Sequence, residues 1–241
     1  MMRLRLLFSH FTLWIMAIAV VLGAVIVAND GRLWLWALVP FGIGGQMLNE
    51  YILHRFVFHL PAPQNQKYFD LLYRAHYGHH DFPTNFDMMF VPFFVMLPML
   101  AVNFALFLGL FGLMGIASPT APAAAVVLVG GALTFIAYEW FHATAHLNIP
   151  TTAIERHVAK LHNQHHFRDF SKWYHVTAGG EVLDRAFGTA ITREALKQQQ
   201  RIEFIRTMGL RPDDPRLVSA RNRFASKYGL TEAEIARAAQ A

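Results

Sequence analysis

Four stretches of the chain carry almost no charge, and polar segments separate them. Residues 11–28 run for eighteen positions without a charged side chain, just enough for a helix to cross a bilayer. The polar turn Asn29-Asp30-Gly31-Arg32 follows, and a second apolar stretch covers 33–53. That stretch contains Pro40 and the Gly42-Ile-Gly44-Gly45 patch, features that membrane helices tolerate through contacts with their neighbours. Residues 88–117 are thirty uncharged positions with Pro92 and Pro98 as kink sites, and 122–141 makes the fourth stretch after a Ser-Pro-Thr-Ala-Pro turn. The pattern predicts an all-α integral membrane protein with four transmembrane helices in two hairpins. The polar remainder, 54–87 and 142–241, becomes a helical cap, and 1–241 reads as one domain.

Within the cap the period changes from continuous to amphipathic. Pro61 and Pro63 break any helix leaving the second span. Residues 65–80 then suit a helix whose apolar side is Tyr68, Leu71, Leu72 and Ala75. In the tail, Thr192 to Met208 and about Pro215 to Lys227 read as helices, and Thr231-Glu-Ala-Glu234 has the spacing of a capping box for a third.

Composition agrees with the pattern. Hydrophobic residues make up 54% and charged residues 15% of the chain, against about 25% charged in a typical soluble domain. Charge adds sidedness. Fifteen of the 21 Lys and Arg follow His142, Arg3 and Arg5 precede the first span, and the opposite turns hold only Arg32. Basic residues stay cytoplasmic, so both termini and the cap are expected on that side. The net charge of +5 is accounted for by that rule and an anionic membrane surface, with no call for nucleic acid as a partner. No cysteine is present, which excludes disulfides and thiolate sites.

The chemistry lies in the histidines. Twelve of thirteen fall between His54 and His175, ten of them in four boxes: His54 and His59; His76, His79 and His80; His142 and His146; His162, His165 and His166. Neutral imidazole suits zinc, copper and iron. On a helix, residues three and four apart share a side, so each HxxHH box presents one sector. His54 and His59, five apart, would splay by about 140° on a straight helix, so that pair needs a distorted helix or serves two metals. Ten ligands exceed the capacity of one ion, and two metals are the natural count. Glu50 and Glu139 precede His54 and His142 by four and three residues and are placed to orient them.

These boxes resemble those of the membrane-bound fatty acid hydroxylase and sterol desaturase superfamily, most closely its fatty acid 2-hydroxylase branch. The similar stretches are Glu50-x-x-x-His-Arg-Phe-Val-Phe-His59, His76-Tyr-Gly-His79-His80-Asp-Phe-Pro83-Thr-Asn-Phe-Asp87 and Tyr138-Glu139-x-x-His142-x-x-x-His146. His162-x-x-His165-His166-Phe167 and Asp184-Arg-Ala-Phe-Gly188-Thr189 complete the likeness over residues 46–190. The branch usually has aspartate where Glu139 stands and commonly glycine in the segment of His175, and His157 has no clear counterpart. His157 and His175 are therefore candidates for an additional ligand or a supporting role.

The resemblance implies a non-haem centre of two iron ions, replaceable by zinc in a purified sample, with O2 as cosubstrate. It further implies hydroxylation of a lipid acyl chain, fatty acid or ceramide, drawn from the bilayer. Electrons would come from a separate ferredoxin, cytochrome or reductase. The alternative within the same chemistry is a sterol, carotenoid or sphingoid-base hydroxylase or desaturase. A non-catalytic metal-binding or haem protein fits less well, because haem or transported ions would call for polar ligands inside the spans.

Overall fold

The first apolar stretch forms helix α1, Phe11–Asp30, whose twenty residues extend about 30 Å. It stops at Gly31, which takes a left-handed conformation with φ 81° that other residues adopt with strain. In this computed structural model, residues 8–147, 149 and 151–239 are described, and every regular element among them is helical. Arg3 and Arg5, on which the sidedness reading partly rests, lie outside the described residues. The chain forms two compact units, Met1–Ala190 and Ile191–Ala241.

In the first unit, a 3-10 segment at Leu33–Leu38 leads into α2, Val39–Leu53, with Pro40 in its first turn. The histidine-bearing segment follows as α3, Gln66–Leu72, and α4, Gly78–Asp81, joined by a π-helical turn at Tyr73–Tyr77. Short α5, Phe86–Met89, precedes α6, Phe93–Leu113. Short α7, Thr120–Ala123, continues through a π-helical segment at Ala124–Gly131 into α8, Ala132–His146. The unit ends with α9, Ala153–Phe167, and α10, Glu181–Ala186.

Among the described residues, three segments are long and apolar enough to cross a membrane: Phe11–Asp30, Phe86–Leu113 and Thr120–His146. The expected second span, 33–53, is not among them. Its α-helix begins only at Val39, and Gln46, Asn49 and Glu50 interrupt the apolar run of its second half. The segment is nonetheless central. Gly42 lies so close to the 124–131 segment that an added Cβ would sit 2.1 Å from the Val126 carbonyl, and one on Gly130 would sit 2.5 Å from that of Val39. Only glycine permits this approach of two backbones.

The three apolar segments differ in what surrounds them. Thr120–His146 is largely buried, with Ala123, Ala124, Ala125 and Ala132 fully enclosed. By contrast α6 is apolar all round and buries only Met96 and Phe111, with Leu97, Val102, Leu106, Leu110 and Leu113 facing outward. A helix apolar on every side has a membrane or a core as its natural surroundings. Together these features make a membrane protein. Met16 of α1, Met96 of α6, Phe135 and Tyr138 of α8 and Val158 of α9 share one core cluster, which fixes the histidine-bearing ends of α8 and α9 over the apolar helices.

The second unit comprises α11, Arg193–Thr207, α12, Pro215–Tyr228, and α13, Glu232–Ala239. The expected capping box forms: Glu234 N–H donates to Thr231 Oγ1 at 3.3 Å, and Thr231 N–H to Glu234 Oε2 at 2.9 Å.

Candidate metal centre

The five-residue spacing of the first box is accommodated by a π-helical turn, His54–Phe58. His59 N–H donates to the His54 carbonyl at 3.2 Å, a bond that widens the turn so that residues five apart come nearly into line. Single π-turns inside helices often accompany functional sites. His54 and His59 consequently join one group rather than two.

All ten box histidines gather into two groups of five. His54, His59, His76, His80 and His165 form the first; His79, His142, His146, His162 and His166 form the second. Within each, one ring nitrogen per residue lies within 4.8 Å of all the others. The two HxxHH boxes are shared reciprocally. His76 and His80 serve the first group while His79 between them serves the second; His162 and His166 serve the second while His165 serves the first. This exchange forces the groups together, and the His80 and His166 rings stack across the boundary at 4.1 Å.

The nitrogen spacings fit ions. In the first group His76 Nε2 lies 3.1 Å from His54 Nε2, 3.1 Å from His59 Nε2 and 2.9 Å from His80 Nε2. In the second, His79 Nε2 lies 2.8 Å from His142 Nε2 and 3.1 Å from His166 Nε2, and His146 and His162 approach to 2.9 Å. One Nε2–H can donate to only one neighbour, so hydrogen bonds cannot account for three contacts at His76. Metal–imidazole bonds of about 2.0–2.1 Å separate neighbouring ligand nitrogens by roughly 2.9 Å at right angles and 3.4 Å in a tetrahedron. The contacts of 2.8–3.1 Å at His76 and His79 lie near the right-angle spacing.

Protonation favours ligation. Burial is the main cause that holds these imidazoles neutral, with mutual repulsion adding to it. It brings His59 down to about 3 and His165 down to about 4, and holds His54, His76, His79, His80, His162 and His166 well below the ordinary imidazole value. A neutral imidazole is the ligand form. Two rings have their tautomers fixed as well. His54 Nδ1 donates to the Tyr174 carbonyl, and His165 Nδ1 to the Lys172 carbonyl at 2.6 Å. The protons sit on Nδ1, and Nε2 keeps its lone pair for a metal.

The other candidates sit one layer out. Glu50 bonds no histidine: it accepts from Val176 N–H at 2.6 Å, Thr177 N–H at 3.1 Å and Thr177 Oγ1 at 2.6 Å. It therefore braces the loop whose Tyr174 carbonyl holds His54. Glu139 likewise accepts from Val91 N–H at 2.9 Å rather than orienting His142. His175 stands outside both groups, with Nδ1 on the Asp184 carboxylate and Nε2 3.9 Å from Glu181 Oε2. His157 is half-exposed, its Nε2 3.3 Å from Glu181 Oε1.

Asp184 is the buried anchor that sequence reasoning did not single out. Its carboxylate accepts from Tyr174 N–H at 2.9 Å, His175 N–H at 3.2 Å and Thr189 Oγ1 at 2.7 Å, besides the His175 ring. Burial pushes its carboxyl up, but the His175 ring, Thr189 and the Tyr174 N–H outweigh this and leave it below the usual carboxylate value. The peptide between Tyr174 and His175 thus accepts from His54 on one side and donates to Asp184 on the other. The Asp-Arg-Ala-Phe-Gly-Thr signature was the available signal; nothing in a sequence marks the Lys172 and Tyr174 carbonyls. A narrow, mainly apolar pocket borders His54, walled by Leu53, Phe58, Val91, Phe135 and Tyr138.

Comparison with known proteins identifies the family. The fatty acid hydroxylase family profile matches residues 39–189. A dihydroceramide fatty acyl 2-hydroxylase of Arabidopsis thaliana is 29% identical over 191 residues, covering 74% of this chain and 70% of that protein. The fatty acid 2-hydroxylase of Rattus norvegicus is 28% identical over 64% of this chain, which spans only 39% of the rat protein. Among solved structures, full-length Scs7p, in which only the hydroxylase domain is visible, matches with a TM-score of 0.61. That match, at 24% identity over 73% of this chain and 63% of Scs7p, shows a shared fold. With a profile that spans every histidine of both groups, this chain belongs to the fatty acid hydroxylase family.

Proposed function

We propose that the protein is an O2-dependent, di-iron hydroxylase of a lipid acyl chain, with a fatty acid or ceramide as substrate. The observation that carries this is the pair of abutting five-histidine groups, the first bordered by an apolar pocket at His54. The Arabidopsis relative's name, a dihydroceramide fatty acyl 2-hydroxylase, supports the same substrate class.

His54, His59, His76, His80 and His165 would hold one iron and His79, His142, His146, His162 and His166 the other. Iron bound there supplies the activation of O2 and the removal of hydrogen from an unactivated C–H bond. The chain's own groups prepare this. Burial keeps the imidazoles neutral, the Lys172 and Tyr174 carbonyls hold the Nδ1 protons of His165 and His54, and Asp184 and Glu50 hold the loop carrying the Tyr174 carbonyl. The apolar walls at Leu53, Phe58 and Phe135 keep water from the reacting carbon and accept methylene groups. His175, Glu181 and His157 act as supports rather than ligands.

In this reading α2 makes a fourth crossing beside the three apolar segments, pairing them as two hairpins with very short turns. Both termini and the histidine cap face the cytoplasm, where a separate ferredoxin, cytochrome or reductase delivers electrons.

The test is lipid mass spectrometry on cells expressing the wild type or a His79→Ala/His80→Ala double variant. A lipid heavier by one oxygen, found only with the wild type, is the expected result. A lipid lighter by two hydrogens would make the enzyme a desaturase. No difference from an iron-loaded protein supplied with an electron donor would overturn the reading.

A further inference from the structure

Two rows of side chains, each stepping by four residues, line a groove between α2 and α6. On α2 they are Phe41, Gly45, Asn49 and Leu53; on α6, running the opposite way, Phe107, Asn103, Met99 and Val95. Steps of four keep to one helix face. Phe41 and Phe107 meet edge to face at 6.3 Å and close one end. Asn49 and Asn103 are common to two successive cavities of about 290 and 370 Å³. At the other end Leu53, Val95 and Met99 line both the second cavity and the pocket at His54, which holds only about 20 Å³. The groove is thus wide along its length and pinched where it meets the metal ligands.

Its dimensions and surroundings indicate what fills it. From Phe41 to Leu53 the helix rises about 18 Å, slightly more than the roughly 15 Å depth of acyl chains in one leaflet of a bilayer. The α6 wall belongs to the least buried of the three long apolar segments. On α2 the middle of the wall is Gly45, where an added Cβ would meet nothing within 4 Å, so the groove owes part of its width to a missing side chain.

We propose that this groove is a lateral portal through which one acyl chain of a bilayer lipid reaches the metal site, and that Leu53, Val95 and Met99 are its gate. The proposal rests on the functional reading above and extends it to the route of the substrate. The acyl tail lies toward Phe41 and Phe107, and the carbon presented to His54 belongs to the head-group end of the chain. Methionine suits the gate because its unbranched, flexible side chain can repack around a passing chain.

Adjacent glycines provide the test. Gly44 and Gly45 are both helical with open space around them, and leucine is a better helix former than glycine. Only Gly45 lines the groove. The iron-loaded full chain is placed in phosphatidylcholine nanodiscs containing a ceramide with a mid-chain diazirine, illuminated, and digested for peptide mass spectrometry. Hydroxylation of unlabelled ceramide is measured in parallel with an electron donor. Wild type and Gly44→Leu are expected to carry adducts on residues 41–53 and 95–107, whereas Gly45→Leu loses them. With the chain kept from its position, Gly45→Leu is also expected to lose about 100-fold in hydroxylation at unchanged iron content. Adducts on those helices that persist in Gly45→Leu, or adducts confined to other helices, would overturn the portal. Product formation indifferent to Gly45→Leu would overturn it while leaving the hydroxylase reading intact. A groove labelled as expected, with no product from any chain, would overturn the hydroxylase reading and leave the portal standing.

Discussion

The two histidine groups are built to one plan and supported in different ways. Each takes a pair from its own box, an i, i+4 pair from an HxxHH box, and one histidine crossing from the other HxxHH box. In the first group the far sides of two rings are held by peptide carbonyls, those of Tyr174 and Lys172. In the second, the Nδ1 atoms of His79, His142 and His162 are buried with no hydrogen-bond partner among the described residues; in the first, only His80 shares that condition. A buried donor left unsatisfied costs about 1–3 kcal/mol. The second group is thus held by the packing of α8 and α9, and the first by a hydrogen-bonded loop. A metal in the first group can be tuned by residues that never touch it, and that is the group beside the apolar pocket.

The largest expected effects come from removing one ligand of each group. His76→Ala takes away the nitrogen that neighbours three others in the first group, and His79→Ala the one between His142 and His166 in the second. Each variant should bind one metal per chain instead of two, by elemental analysis, and hydroxylation should fall to background in both. Loss of both metals from either variant would merge the groups into a single cooperative unit and end the comparison.

Asp184→Asn should separate the groups more finely. It keeps the shape but removes the charge behind the peptide that accepts from His54. Changes in this outer layer typically cost about 10–100-fold in metal affinity or activity. Metal titration should show that loss at one site only, with the second group's affinity unchanged. Equal weakening at both sites would mean that Asp184 acts on the fold rather than through His54.

Acid should unfold the metal-free protein, and the sign follows from burial. The folded imidazoles titrate below the free value of about 6.5, His165 at about 4 and His59 at about 3. Below pH 6.5 the unfolded chain therefore binds more protons than the folded one. Stability is level above that pH and falls as pH drops toward 4, each such histidine contributing up to about 1.4 kcal/mol per pH unit. Thermal unfolding of the metal-free chain between pH 7.5 and 4.5 measures this. A melting temperature unchanged across that range would contradict the burial of the histidines.

Much of this was legible in the sequence because it depends on period and composition. Uncharged runs marked the apolar helices, and spacing marked the ten histidines. Their division between two groups was not legible, since His76, His79 and His80 share one helical sector that is broad enough to face both. The expected bonds from Glu50 to His54 and Glu139 to His142 do not form, although that spacing allows them; His54 Nδ1 is taken by the Tyr174 carbonyl and its Nε2 faces His76. Both carboxylates reached backbone N–H groups of other segments instead, contacts with no sequence period. The segment 33–53 shows the same limit: its polar residues Gln46, Asn49 and Glu50 line the pocket at His54 and the groove beside it, a placement that no sequence period marks.

The smallest effect expected concerns the element that both groups share. Helix α9 carries His162 and His166 for the second and His165 for the first, and it begins with a capping box. Glu155 N–H donates to Thr152 Oγ1 at 3.3 Å, and Thr152 N–H to Glu155 Oε2 at 2.6 Å, while Trp140 Nε1 donates to Glu155 Oε1 at 2.6 Å. Thr152→Ala should cost about 1 kcal/mol. The ligands begin ten residues beyond the cap, so the loss should appear as a slightly lower melting temperature, with both metals retained and hydroxylation within about twofold, since one damaged cap is a local loss. If the second group alone loses metal, packing of α9 is its only support, and the contrast with the braced first group becomes sharper. If the first group alone loses metal, the Lys172 carbonyl on His165 is a weaker brace than the geometry suggests, and the contrast has been drawn the wrong way round.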